Sequence, residues 1–109
     1  MAYDKSIEQR IDALIAAWPD IEKRKMFGGV CYLLNGNICF GIWQEELIVR
    51  TDEATAQEML KREQVRPFDV TGRPMKGWLM VAAAGWPGET DLNDWLVMGR
   101  TFALTLPNK

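Results

Sequence analysis

Apolar positions recur with two different periods along this chain, and the periods mark out its elements. Ile7, Ile11, Leu14, Ile15 and Trp18 fall at helical spacing on one stripe, which predicts a first helix from about Ser6 to Trp18. Asp4 or Ser6 can cap it, Gln9 can complete a capping box with Ser6, and Pro19 helps to stop it. Met26 to Leu34 then reads as a strand, Asn35-Gly36 as a turn and Ile38 to Trp43 as the returning strand. Both faces of this hairpin are apolar, so it should be central and covered on at least part of both sides. After the polar link Gln44-Glu45-Glu46, Leu47 to Thr51 makes a third strand. Asp52 is placed to cap a second helix from about Glu53 to Arg62, with Ala56, Met59 and Leu60 on its apolar side.

Val65 to Val70 is the next strand, and Pro67, which has no backbone donor, marks it as an edge or irregular one. Thr71-Gly72-Arg73-Pro74 is a turn, and Gly77 to Ala84 is the fifth strand. The loop Gly85-Trp86-Pro87-Gly88-Glu89 leads to a last helix capped by Thr90, with Leu92, Trp95, Leu96, Gly99, Ala103 and Leu106 along one side and Pro107 at its end. A glycine inside a helix costs about 1 kcal/mol relative to alanine, so Gly99 should permit close approach to the sheet. The predicted order is α-β-β-β-α-β-β-α. Strands clustered this way, with two short links, predict an α+β fold: a five-stranded antiparallel sheet with three helices.

The 109 residues suit one domain, spanning residues 1–109 without linker or repeat. No apolar run approaches the ~18 residues that a membrane span needs, and Met1-Ala2-Tyr3-Asp4-Lys5 lacks the character of a signal peptide. A cytoplasmic location is expected. Thirteen basic against 15 acidic residues give a net charge of −2, which argues against direct nucleic-acid binding through a basic surface. Lys23-Arg24-Lys25 is the longest basic run and reads as a solvated helix end or loop. Cys31 and Cys39 flank the Asn35-Gly36 turn. A type I′ turn there sets residue 31 opposite residue 40, so the two cysteines point to opposite faces and remain free thiols.

Candidate chemistry is sparse. The chain has no histidine, which removes the usual imidazole base and the commonest metal ligand. Ser6, the sole serine, sits where a helix cap is wanted. Gly28-Gly29 and Gly72 lack the spacing of a phosphate loop and instead suit an unusual backbone angle or tight packing. No catalytic residue, metal site or cofactor is expected. The best polar constellation is Arg66, Asp69, Arg73 and Lys76. It is either an anion site, its guanidinium groups holding a carboxylate or phosphate, or a turn in which Asp69 pairs with Arg66 or Arg73. Trp86, in a Gly-bounded loop, is either an exposed interface anchor or a lid folded over the sheet edge.

Two blocks carry a family resemblance. Arg24-Lys25-Met26-Phe27-Gly28-Gly29-Val30, the Asn35-Gly36-Asn37 turn and Cys39-Phe40-Gly41 form the first. Arg66-Pro67-Phe68 with Gly72-Arg73-Pro74-Met75-Lys76-Gly77-Trp78 forms the second, and Asp94-Trp95 to Leu106-Pro107 is similar as well. Together they resemble the N-terminal domain of the TfoX competence-regulator family, here as a stand-alone domain. The resemblance implies an α+β fold similar to secretion chaperones and no catalytic residues. Full-length members carry a second, C-terminal domain and act with a transcription activator on DNA. The implied function is a small regulatory or protein-interaction domain, not an enzyme, acting in transcriptional or competence regulation through a protein partner; apart from the resemblance, a homodimer is left open. The alternative is a binder of a small anionic ligand at Arg66, Arg73 and Lys76.

Overall fold

Aspartates open the first two helices, because a short carboxylate can reach back to the orphan N–H groups of a first turn. In the computed structural model, which describes residues 3–26, 28–70 and 72–107, the cap of α1 (Lys5–Leu14) is Asp4. Its carboxylate accepts the Ser6 N–H at 2.8 Å and the Ser6 hydroxyl at 2.6 Å. α1 stops at Leu14, short of the expected Trp18. Pro19 disfavours helical backbone at the residue before it, and the chain turns instead, with the Trp18 N–H on the Ile15 carbonyl at 2.8 Å and Asp20 at φ 62°. Trp18 still reaches the core, edge-on to Phe40 with ring centroids 6.1 Å apart.

The sheet has six strands rather than five: β1 (Ile21–Met26), β2 (Gly29–Leu34), β3 (Asn37–Trp43), β4 (Glu46–Arg50), β5 (Val65–Pro67) and β6 (Trp78–Val81). Their order is β1-β2-β3-β4-β6-β5, and every neighbouring pair is antiparallel. The expected strand from Met26 to Leu34 is divided by a tight turn in which Gly28 takes φ 78°, and Met26 pairs with Gly29. Lys23, Arg24 and Lys25 therefore lie in an edge strand, not in a helix end or loop. Four consecutive exposed residues in β1 give it no alternation to read. At the other edge, Pro67 ends β5 well before Val70.

Asn35 and Gly36 both have positive φ, 54° and 83°, as a type I′ turn requires. The register beyond that turn departs from expectation. Leu33 faces Ile38, but Tyr32 faces Phe40, so Cys39 is an extra residue in a β-bulge. Cys31 consequently lies opposite Gly41, not Phe40. The bulge sends both Cys39 and Phe40 to the helix-covered face, while Cys31 belongs to the core on the other face. The cysteines thus do point to opposite faces, and both are free and buried.

Asp52 caps α2 (Glu53–Met59), its carboxylate accepting the Thr55 N–H at 2.8 Å. The last helix, α3 (Glu89–Leu104), is capped at Gly88 rather than at Thr90, with the Asp91 carboxylate accepting the Gly88 N–H at 3.2 Å. Leu106 lies past its end. Between β6 and α3 a short 3₁₀ turn, Ala83–Gly85, replaces the end of the expected strand.

Both sheet faces are covered. On one, Ile7 and Ile11 of α1 and Leu92, Trp95 and Leu96 of α3 pack on Tyr32, Phe40, Ile42, Leu47, Val49 and Leu79. On the other, the chain between β5 and β6 folds back, and Phe68, fully buried, packs with Cys31, Leu33, Ile48 and Met80. Among the described residues only Val97 and Leu104 are large, apolar and exposed, so no broad apolar patch is formed by them. No helix among them is long and apolar enough to cross a membrane.

Candidate functional site

Arg66 leaves β5 on the helix-free face, opposite Met80. Its guanidinium bonds to the Glu46 carboxylate at 2.7 Å and to Asp69 at 3.4 Å. Asp69 begins the following turn, its carbonyl accepting the Gly72 N–H at 2.9 Å. Lys76 is directed to Glu53, 3.8 Å away. Arg73 is exposed. Two of the three cations proposed for an anion site are thus already answered by carboxylates, and the pairing of Asp69 with Arg66 is the local turn arrangement. Exposed pairs of this kind contribute at most about 1 kcal/mol each.

An open cleft of about 300 Å³ beside Arg66 is bordered by Trp43, Glu45 and Glu46. Its carboxylates would oppose an anion there. No group of three or more His, Cys, Asp or Glu among the described residues is placed to hold a metal ion.

Trp86 is not a surface anchor. It is 2% exposed, and its indole N–H donates to the Val81 carbonyl at 3.0 Å. Burying the ring removes a large apolar area from water, and the hydrogen bond satisfies its one polar group. Arg10 closes the site from outside, its guanidinium 5.2 Å from the ring centroid and bonded to Glu89 at 2.7 Å.

That arrangement recurs, and composition gave no sign of it beyond the tryptophan count. Arg50 stacks on Trp78 at 5.2 Å, Arg62 on Trp95 at 5.5 Å and Arg100 on Trp18 at 5.3 Å. Arginine stems and planar heads cover the buried rings of Trp78, Trp86 and Trp95 and the partly buried ring of Trp18, while keeping their charge near water. Burial lowers Arg50 below its ordinary pKa. The residues of each pair are far apart in sequence or on different elements, so spacing could not reveal them.

The serine is occupied and both cysteines are buried. Ser6 Oγ is engaged by Asp4. Burial pushes both thiols up to about 11, far from the thiolate needed for reaction near neutrality. Burial, then a 2.8 Å hydrogen bond to Asp12, raises the pKa of Tyr32. Asp12 also joins Glu8 in holding Lys23 Nζ, each at 2.9 Å, which ties β1 to α1. The hydrogen bond from Lys23 lowers Glu8.

No curated protein and no solved structure matches the chain. The family model for the TfoX N-terminal domain matches residues 13–103, from the end of α1 to the last turn of α3, and the chain belongs to that family.

Proposed function

We propose that this chain is a small, non-catalytic regulatory domain that works in the cytoplasm through a protein partner, in transcriptional or competence regulation. Membership of the TfoX N-terminal family over residues 13–103 carries this reading. The surface chemistry supports it. A net charge of −2 and the pairing of Arg66 and Lys76 with carboxylates leave little positive surplus for a phosphate backbone or a small anion. The absence of histidine and the engagement of Ser6 by Asp4 leave acid–base or serine chemistry without its usual groups. The family's likeness to secretion chaperones suits a domain that presents surface to another chain.

The test is to produce the domain in its host, measure transcript levels, and recover bound proteins for titration with the purified domain. A regulator shifts a defined set of transcripts and binds a recovered protein saturably. Unchanged transcripts with no saturable partner sink the reading. A small anion that raises the melting temperature, and loses that effect in R66A and R73A, would favour the anion-binding alternative.

A further inference from the structure

The two edges of the sheet are built differently. β5 has three residues and contains Pro67, so it offers little to a further strand. β1 has six, contains neither proline nor glycine, and keeps an unbroken register with β2 from Ile21 opposite Leu34 to Met26 opposite Gly29. Among the described residues no strand pairs with its outer side, which presents a row of backbone donors and acceptors. Natural proteins guard such edges with lysine, but here the guarding residues are also self-complementary. We propose that β1 is a homodimer edge: two copies pair β1 to β1, antiparallel, about a two-fold axis at Lys23, and join their sheets into one.

The register follows from charge. A two-fold axis normal to the sheet relates two identical antiparallel edges. Centred on Lys23, it places Glu22 of each copy opposite Arg24 of the other, and Ile21 opposite Lys25. Glu22 and Arg24 already pair at 3.1 Å within the chain, both more than half exposed. In the dimer, four such side chains alternate in sign around the axis. The two Lys23 side chains face each other, but each is held by Glu8 and Asp12 of its own α1 at 2.9 Å and arrives neutralised. Moving the axis to Arg24 sets Arg24 against Arg24 and Lys23 against Lys25, and directly opposed like charges destabilise a strand pair. Both registers overlap equally within β1, so charge selects the first. The proposal does not depend on the regulatory reading.

The experiment is sedimentation velocity over a concentration series on the wild-type chain, E22R, R24E, the double variant E22R/R24E, and an equimolar mixture of the two single variants. Circular dichroism confirms that each folds, as expected for exposed positions. The wild type should sediment as a dimer that dissociates on dilution. Each single variant should be monomeric, the double variant should dimerise again, and the mixture should give a heterodimer, since one variant offers only arginine and the other only glutamate at these positions. A wild type that stays monomeric at every concentration overturns the proposal. So does a dimer indifferent to the single reversals, or a folded double variant that fails to dimerise. An acidic peptide that binds a monomeric wild type would show the edge to serve another partner.

Discussion

Gly99 in α3 lies against the backbone carbonyl of Cys39 in the β3 bulge. A Cβ built on residue 99 would overlap the Cys39 oxygen and stand 3.0 Å from its carbonyl carbon. Both are backbone atoms of a central strand, so neither can swing aside as a flexible side chain could. The bulge brings Cys39 and Phe40 together on the helix-covered face, and the missing side chain at residue 99 lets the helix settle there. Two irregularities, an extra residue in a strand and a glycine in a helix, are thus one packing solution.

Gly99→Leu should therefore destabilise the fold by about 1–3 kcal/mol through overpacking. Helix propensity alone predicts the opposite sign, a gain of about 1 kcal/mol. Gly99→Ala is the sharper probe, because alanine is the best helix former and adds only the clashing carbon. Urea denaturation of both variants checks this. A higher midpoint for Gly99→Ala would mean that the helix is not held against the bulge.

The same pair shows where the chain was legible and where it was not. Gly99 was readable as a close approach, because a glycine in an otherwise periodic helix needs a packing reason. The bulge that receives it was not, since nothing in Ile38-Cys39-Phe40 separates an extra residue from a regular one. Asp52 as a helix cap, Pro67 at an edge and the Asn35-Gly36 turn were readable from local chemistry. β1 was missed because an edge strand exposed along Glu22 to Lys25 buries too little to alternate. For Trp86 the sequence offered a lid or an anchor, and only burial decides between them. Of the polar cluster, the pairing of Arg66 with Asp69 three residues on was foreseeable, whereas Glu46 reaches it from another strand.

The two thiols should be free yet unreactive until the protein unfolds. Alkylation followed by mass spectrometry should modify both in denaturant without reductant, and neither quickly in the native state. Burial holds their folded pKa at about 11 against an ordinary 9.0. Protein with raised thiol pKa values keeps this contribution to stability below pH 9 and loses it as pH rises towards 11, because the unfolded chain ionises first. A melting temperature that falls across that window in the wild type, and falls less in Cys31→Ala, is the expected result. Rapid native labelling at neutral pH would place a thiol at the surface.

Trp86→Ala should be among the most damaging single changes, costing about 3–5 kcal/mol as for other buried tryptophans. Trp86→Phe keeps most of the apolar area but removes the indole donor to Val81, and should cost about 1–3 kcal/mol. Arg66→Ala, which breaks only exposed pairs with Glu46 and Asp69, should cost under about 1 kcal/mol. Denaturation curves for the three should therefore rank Trp86→Ala, Trp86→Phe, Arg66→Ala. If Trp86→Phe were as stable as the wild type, the hydrogen bond would carry no weight, and the lid would be apolar packing alone.

The isolated domain should not bind duplex DNA at physiological salt. Phosphate binding depends on several cations on one surface releasing counterions from the duplex. The basic run Lys23-Arg24-Lys25 is the best candidate in the chain, but β1 gives its residues little net charge. Lys23 is shared by Glu8 and Asp12, and Arg24 pairs with Glu22. Two of these three cations are thus matched by three carboxylates before any phosphate arrives. Fluorescence anisotropy with labelled duplexes should stay flat as the protein is titrated, and lowering the salt should produce only weak, sequence-independent binding. Saturable sub-micromolar binding that vanishes on reversing Lys25 and Arg24 would mean that DNA can outcompete Glu22 for Arg24, and the protein-partner reading would give way to direct recognition.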